Sequence, residues 1–367
     1  LPNYNEFYER RWFASSLDLC YEEIRFAGHK MVMPANSPIF TTSQGVRFGV
    51  EICEDVWAPI PPSNNLTLAG ADIIFNMSAS DELIGKHDYL KTLLSQQSAR
   101  TMCGYVYSSC GFGESTQDVV YGGNAIIYEN GKLLAEGERF SLSDQIVSAQ
   151  IDVERLRAER RNNTTFVTAQ HNAMHVEHVV DCHGIDVKYD FKLEREVGPH
   201  PFIPHTNDMK KSCEEIFNIQ VMGLAKRIVH TNCKTVVIGI SGGLDSTLAL
   251  LVCVRTFDKL KLDRRGIVGV TMPGFGTTDR TYNNAVSLMK RLGITIREVS
   301  IAKSVTQHFE DIGHDISVHD VTYENGQARE RTQILMDLSN KLCGMVIGTG
   351  DLSELALGWA TYNGDHM

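Results

Sequence analysis

Two short stretches carry residue types whose spacing could do chemistry. The first is Ser241-Gly242-Gly243-Leu244-Asp245-Ser246, which follows the β-branched run Thr235 to Ile240 and opens an apolar helical pattern from about Ser246. A strand, a glycine turn and a helix start make an anion site, because free backbone N–H groups converge where small residues let a phosphate approach. Ser241 and Ser246 add hydroxyl donors. Asp245 would repel a phosphate directly, so its carboxylate needs a Mg2+ between the two. The GxxxxGK[ST] spacing and its lysine are missing, so this is no Walker A loop.

The second stretch is GVEICEDVWAP, residues 49–59. Cys53 ends a run with strand character beside a turn, where a thiol is placed to attack a bound substrate. Glu54 and Asp55 put negative charge next to it, so a thiolate there calls for a cation close by. Taken alone, a free cysteine in such a run more often packs than reacts.

The elements that must position these residues fall into two groups. Over residues 1–153, GVRFGVEIC, ADIIFNMS and YVYSS read as strands, HDYLKTLLSQQSARTM as a helix, and NAIIYENGKLLAE as a hairpin turning at Asn130-Gly131. From 154 to 205 the pattern dissolves into charged ERLRAERR, polar NNTT and GPHPFIPH, which reads as a connector. Over 206–367 strands and helices alternate, the signature of a parallel sheet with helices on its faces.

The bulk numbers narrow the function. Thirty-five basic against 45 acidic residues give a net charge of −10, which disfavours a nucleic-acid-coating role. No apolar run approaches the roughly 20 residues of a membrane helix. Nine dispersed cysteines without a CxxC pair fit reduced thiols in a cytoplasmic protein. His171, His175, His178, Cys182 and His183 cluster in the connector, but their spacing matches no closed zinc site, and a solvated linker is the reading.

SGGLDS resembles the pyrophosphate loop of the ATP-pyrophosphatase superfamily, which grips the β and γ phosphates while AMP passes to a substrate. The resemblance implies ATP binding at Gly239, Ile240, Ser241, Gly242, Gly243, Leu244, Asp245 and Ser246. Residues 324–365, and TMPGFGTTDRT at 271–281, are similar to an NAD synthetase domain. That similarity implies that Thr349 touches ATP and that Glu354 sits at the Mg2+ and the dinucleotide. Asn325, Trp359, Ala360, Thr361 and Tyr362 would contact deamido-NAD, the nicotinic acid adenine dinucleotide. Gly326 stands where family members more often carry a branched apolar residue, and is expected to loosen a helix start.

GVEICEDVWAP resembles the nucleophile motif of the nitrilase-type amidases, and LPNYNEFYERRWF at residues 1–13 resembles the segment just beyond their catalytic lysine. In that family a glutamate acts as base, a lysine stabilises the oxyanion and a cysteine attacks. The lysine is expected three residues before Leu1 and the glutamate further upstream, which leaves Cys53 without its partners in this chain. In the glutaminase domains fused to NAD synthetases, positions corresponding to Tyr4, Ser80 and Lys86 hold glutamine, and Glu54 and Trp57 flank the nucleophile. A zwitterionic amino acid needs both a cation and acceptors. A lysine in place of an arginine gives up bidentate contact.

Both halves thus resemble the glutamine-dependent NAD synthetases. The implied fold is α/β: part of an αββα nitrilase-like sandwich, joined to a Rossmann-like, doubly wound parallel sheet of the adenine nucleotide alpha hydrolase type. The implied chemistry is ammonia release from glutamine at Cys53 and ATP-dependent amidation of deamido-NAD, with ATP as substrate, Mg2+ at Asp245 and Glu354, and a cytoplasmic homo-oligomer. The partners are these small molecules, with no nucleic acid and no membrane. The chain reads as a fragment truncated at both ends, with glutaminase activity expected to be largely lost and synthetase activity expected to be impaired. Two rivals are another ATP-pyrophosphatase amidotransferase, such as a GMP synthetase, and a non-catalytic nucleotide-binding subunit.

Overall fold

The computed structural model describes residues 12, 23–32, 37–114, 119–173, 179–182, 192–200, 203, 209–275 and 279–358. The chain divides into two compact units, residues 1–198 and 199–367.

In the first unit, β1 (Glu23–Phe26) and β2 (His29–Val32) form an antiparallel pair of their own. Next in the chain are β3 (Ile39–Thr42), β4 (Arg47–Ile52), α1 (Pro62–Leu68), β5 (Ile73–Ser78), α2 (Lys86–Thr101), β6 (Gly104–Ser109), β7 (Ala125–Glu129) and β8 (Lys132–Glu136). After them come α3 (Val153–Asn162), α4 (Thr164–Asn172) and β9 (Val179–Cys182). The seven strands from β3 to β9 make one mixed sheet in the order β8-β7-β6-β5-β4-β3-β9. Its centre, β4-β5-β6, is parallel, so α1 and α2 serve as crossovers. Ile74, Leu90, Leu94, Tyr105 and Ile126 fill the core between sheet and helices. A Cβ on Gly49 would lie 2.8 Å from Leu66, so the missing side chain lets α1 press against β4, the strand that leads into Cys53. Asn130 and Gly131 both have positive φ, +45° and +81°, which fits the two-residue hairpin turn expected there.

The stretch read as the start of a connector is helical and built into this unit. Asp152 caps α3 by accepting from the Arg155 N–H at 2.9 Å, and Asn163 caps α4 by accepting from the Phe166 N–H at 2.9 Å. Arg157 donates in a fork to Asp72, at 2.9 Å from Nε and 2.6 Å from Nη2. Arg160 is buried and donates to the carbonyls of Ala71, Thr101 and Met102. Within ERLRAERR, Arg157 and Arg160 thus turn inward, one to a buried carboxylate and the other to backbone carbonyls, while Arg155 and Arg161 are exposed.

The second unit contains α5 (Met209–Thr231), β10 (Val236–Gly239), α6 (Leu244–Leu260), β11 (Ile267–Thr271), α7 (Asp279–Leu292) and β12 (Thr295–Glu298). It continues with α8 (Ala302–Ile312), α9 (Val321–Lys341), β13 (Met345–Ile347) and α10 (Leu352–Leu357). Its four strands are all parallel, in the order β12-β11-β10-β13. Val236 and Ile238 pack with Leu250, Phe257 and Met289 of α6 and α7, whereas Val237 packs with Leu335 of α9. Alternate residues of one strand thus feed cores on opposite faces, as the doubly wound expectation requires.

Gly326 does something other than loosen a helix start. The helix begins at Val321, capped by Asp320, which accepts from the Tyr323 N–H at 3.0 Å. Gly326 lies inside it, buried, where a Cβ would come 2.6 Å from the Phe309 ring. The glycine makes room for α8.

Candidate active site

In the second unit β10 is the strand at which the sheet order reverses, with β11 on one side and β13 on the other. Ligands of such sheets bind beyond the strand C-termini at that point, and there the chain places a cavity of about 610 Å³. Gly239, Ile240, Ser241, Asp245 and Ser246 line it from the glycine loop, and Thr349 and Glu354 line it from the segment after β13. Residues separated by roughly a hundred positions in the chain are thus brought to one wall.

The loop is held internally. Ser241 and Ser246 hydroxyls lie 3.1 Å apart, the Gly243 N–H donates to Ser241 Oγ at 3.2 Å, and Thr247 donates to the Gly243 carbonyl at 2.7 Å. The two serines expected as phosphate donors therefore also shape the turn. Gly242 has φ of +87°, a conformation natural to glycine, and its Cα faces the Thr281 carbonyl so closely that a Cβ would overlap it. Gly242, Gly243 and Leu244 are not on the cavity wall, and the Leu244 side chain is 86% exposed.

The Asp351 carboxylate accepts from the Glu354 N–H at 2.7 Å and Glu354 Oε2 accepts from the Asp351 N–H at 3.1 Å, a reciprocal cap that fixes the start of α10. Three carboxylates, Asp245, Glu324 and Glu354, line the cavity with several hydroxyls, oxygen donors of the kind Mg2+ takes, usually one or two protein carboxylates together with substrate phosphates. From α9 the wall takes Glu324, Gln327 and Arg331, not Asn325. Arg331 is the cation among the described residues that line it, and reading the sequence missed it. The signal was present in the run QARER, where Gln327 and Arg331 are four residues apart and share a helix face. Trp359, Ala360, Thr361 and Tyr362 lie outside the described residues.

In the first unit Cys53 stands at the end of β4 with φ of +50°, opening a short 3-10 turn, Cys53–Trp57. The Ile52 N–H donates to Asp55 Oδ2 at 2.8 Å, so one of the two acidic residues beside the thiol is committed to the turn. The Asn76 amide donates to the Cys53 carbonyl at 3.2 Å. Below lies Tyr107, whose hydroxyl burial pushes up to about 12, with Cys53 adding to the rise. Trp57 stacks on Tyr89 at 5.3 Å, and Lys86 Nζ sits 5.8 Å from the Trp57 ring centre. Lys86 also pairs with Asp81 at 2.5 Å, and the Ser80 N–H donates to Ser109 Oγ at 3.3 Å. Cys53, Glu54, Trp57, Ser80 and Lys86 are all partly exposed, and Trp57 with Lys86 forms one contact group. Asp81, the acceptor beside Lys86, escaped the sequence reading. Tyr4 lies outside the described residues.

Among the described residues no group of three or more His, Cys, Asp or Glu is disposed to hold a metal ion. His171 falls in α4 and Cys182 ends β9, while His175, His178 and His183 lie outside the described residues. No helix among the described residues is long and apolar enough to cross a membrane.

Comparison with known proteins gives each unit a counterpart. Residues 5–161 match the carbon-nitrogen hydrolase family and residues 216–367 match the NAD synthase family. The glutamine-dependent NAD(+) synthetase of Mycobacterium tuberculosis is 41% identical over 380 residues, covering 100% of this chain and 55% of the relative. The enzyme of the same name from Thermotoga maritima is 29% identical, covering 100% of this chain and 57% of the relative. The chain spans about half the length of the curated relatives it matches. Among solved structures, a glutamine-dependent NAD+ synthetase from Acinetobacter baumannii in complex with ADP is 25% identical, covering 100% of this chain and 56% of that one. The TM-score is 0.41.

Proposed function

We propose that the chain is part of a glutamine-dependent NAD(+) synthetase, and that the whole protein amidates deamido-NAD to NAD with ammonia drawn from glutamine. The observation that carries the proposal is the wall of the second-unit cavity, where the glycine loop, Asp245, Thr349 and Glu354 meet. The backbone of the loop holds the β and γ phosphates of ATP, and Thr349 contacts the nucleotide. Asp245 and Glu354 would hold Mg2+, which would neutralise phosphate charge as pyrophosphate departs. The nicotinate carboxylate takes the adenylyl group, and ammonia then displaces AMP. Arg331 supplies positive charge for an anionic substrate, with residues 359–362 as further contacts to the dinucleotide.

In the first unit Cys53 attacks the glutamine amide carbon, forms a thioester and releases ammonia, and water then frees glutamate. Lys86 faces the α-carboxylate of glutamine and Asp81 the α-ammonium, with Tyr4, Glu54, Trp57 and Ser80 completing the pocket. The eight described cysteines are free, which supports a reducing compartment, and we place the protein in the cytoplasm. A homo-oligomeric state rests on the family resemblance alone. Neither rival reading is favoured by a specific observation.

The test is NAD formation from deamido-NAD and Mg-ATP by the full-length protein and its Cys53→Ala variant. The variant is expected to make no NAD from glutamine and to keep making it from ammonium chloride. Loss with both nitrogen donors, or with neither, would contradict the division of labour.

A further inference from the structure

Cys53 sits in the left-handed region, with φ of +50°. A residue with a Cβ holds that conformation only where its surroundings over-determine it. The surroundings here are polar and dry: Glu51, Asn76, Tyr105 and Ser63 are each 2% exposed or less. They come from three adjacent strands and the start of α1, and Glu51 and Asn76 are direct register partners.

The direction of every hydrogen bond among them is determined. The Cys53 carbonyl can only accept, so the Asn76 amide nitrogen faces it, and Asn76 Oδ1 on the other side accepts from Ser78 Oγ at 2.7 Å. The amide nitrogen therefore points its two hydrogens at the Cys53 carbonyl and at the Tyr105 oxygen, each at 3.2 Å. Tyr105 has one hydrogen, and it goes to Glu51. The remaining Glu51 oxygen accepts from the Ser63 N–H at 2.8 Å. Burial, foremost, holds the Glu51 carboxyl above its usual range, against the pull of those same hydrogen bonds. A core built for packing alone gains nothing from a carboxyl group there.

We propose that Glu51, Tyr105 and Asn76 form a positioning chain that clamps the Cys53 peptide in its left-handed turn and so presents the thiol to the glutamine amide. The inference rests on Cys53 acting as the nucleophile of the proposed glutaminase reaction. None of the three touches substrate. Each acts through the next, from the Ser63 N–H at the head of α1 to the Cys53 carbonyl. Glu51→Gln would set an amide donor against the Tyr105 or Ser63 donor, Tyr105→Phe would remove the middle link, and Asn76→Ser would withdraw the hydrogen bond to the carbonyl.

The test uses the full-length protein and the variants Tyr105→Phe and Asn76→Ser, with two readouts. One is kcat and KM for glutamine hydrolysis. The other is the rate at which iodoacetamide modifies Cys53, followed by peptide mass spectrometry and referenced to Cys213, an exposed thiol in the second unit. Both variants are expected to lower kcat and the Cys53 alkylation rate by roughly ten- to a hundredfold, with the KM for glutamine unchanged. Unchanged kcat and alkylation in a folded variant would overturn the inference, and so would a rise in KM alone. Tyr105→Phe keeps the ring that fills the core, so one folded variant is available should Asn76→Ser fail to fold. If the parent protein hydrolyses no glutamine, the proposed function fails, but the Cys53 alkylation ratio still reads the clamp.

Discussion

Gly242 packs against Thr281, a residue lining the second-unit cavity: the glycine Cα faces the Thr281 carbonyl with no room for a Cβ. The contact ties the phosphate loop after β10 to the first turn of α7, so the loop is shaped before any nucleotide arrives. Gly242→Ala adds left-handed strain of about 1–3 kcal/mol to a backbone overlap. ATP-dependent AMP formation is expected to fall at least about tenfold, equivalent to about 1.4 kcal/mol of barrier. Cys53 alkylation in the other unit should not move. AMP release measured by chromatography checks this.

Asp245 and Glu354 share one cavity wall but arrive from opposite ends of the second unit. Asp245→Asn is expected to raise the Mg2+ concentration needed for half-maximal AMP formation by about tenfold or more, while ATP at saturating Mg2+ recovers part of the rate. Glu354→Gln should do the same and also weaken the cap of α10, because the amide is a poorer acceptor for the Asp351 N–H. A Mg2+ titration at fixed ATP distinguishes these from a general loss of folding.

Arg157 and Asp72 form a forked pair that fastens α3 to the sheet. The Asp72 side chain is 1% exposed and the Arg157 side chain 38%. Arg157→Ala leaves that carboxylate with the Arg47 N–H and without its hydrogen-bonded guanidinium, Arg160 of α3 acting only through space. The first unit is expected to lose about 2–3 kcal/mol, below the loss for a fully buried pair because water reaches the guanidinium. Adding Asp72→Asn should restore part of it. Urea unfolding of both variants gives the comparison.

Gly326→Ala would ordinarily strengthen a helix by about 1 kcal/mol. Here the new methyl meets Phe309 at 2.6 Å, and overpacking of this kind costs about 1–3 kcal/mol. The net effect is expected to be destabilising, with relief in the Gly326→Ala, Phe309→Leu double variant. Thermal melting of the three proteins decides the sign.

Burial pushes the Cys103 thiol up to about 11 and the Cys253 thiol up to about 12, against an ordinary value of 9.0. Both should resist iodoacetamide at pH 8.5 while the exposed Cys213 and Cys343 react. Because the folded values are raised, the stability these thiols contribute is intact below pH 9.0 and is lost as pH rises toward 11 and 12, where the unfolded chain ionises first. Melting temperatures across that range should fall accordingly, and less steeply in Cys253→Ala.

The candidate-site ends of both sheets were legible because each motif joins two local signals. Thr235–Ile240 has the residue types of a buried strand and SGGLDS those of an anion-binding turn, and the structure places one directly after the other. Residues 154–172 were not legible, since the face of α3 that meets the sheet is made partly of arginine, and a charged run gives no apolar period to read. Arg331 and Asp81 escaped for a related reason. Each gains its place from an element far off in sequence, Arg331 at the cavity and Asp81 through the bridge to Tyr121, and the helix face that Arg331 shares with Gln327 does not by itself name what it meets. The Glu51–Tyr105–Asn76 chain belongs to the same class. Its members look like ordinary strand residues until the register of β4, β5 and β6 brings them together.

If the second-unit cavity adenylates a carboxylate, the products name it. The full-length protein supplied with deamido-NAD, Mg-ATP and ammonium chloride should yield NAD, AMP and pyrophosphate in equal amounts. ADP and inorganic phosphate in their place, or NAD formed without AMP, would contradict an adenylate intermediate and the pyrophosphate-holding role of the Ser241–Ser246 loop.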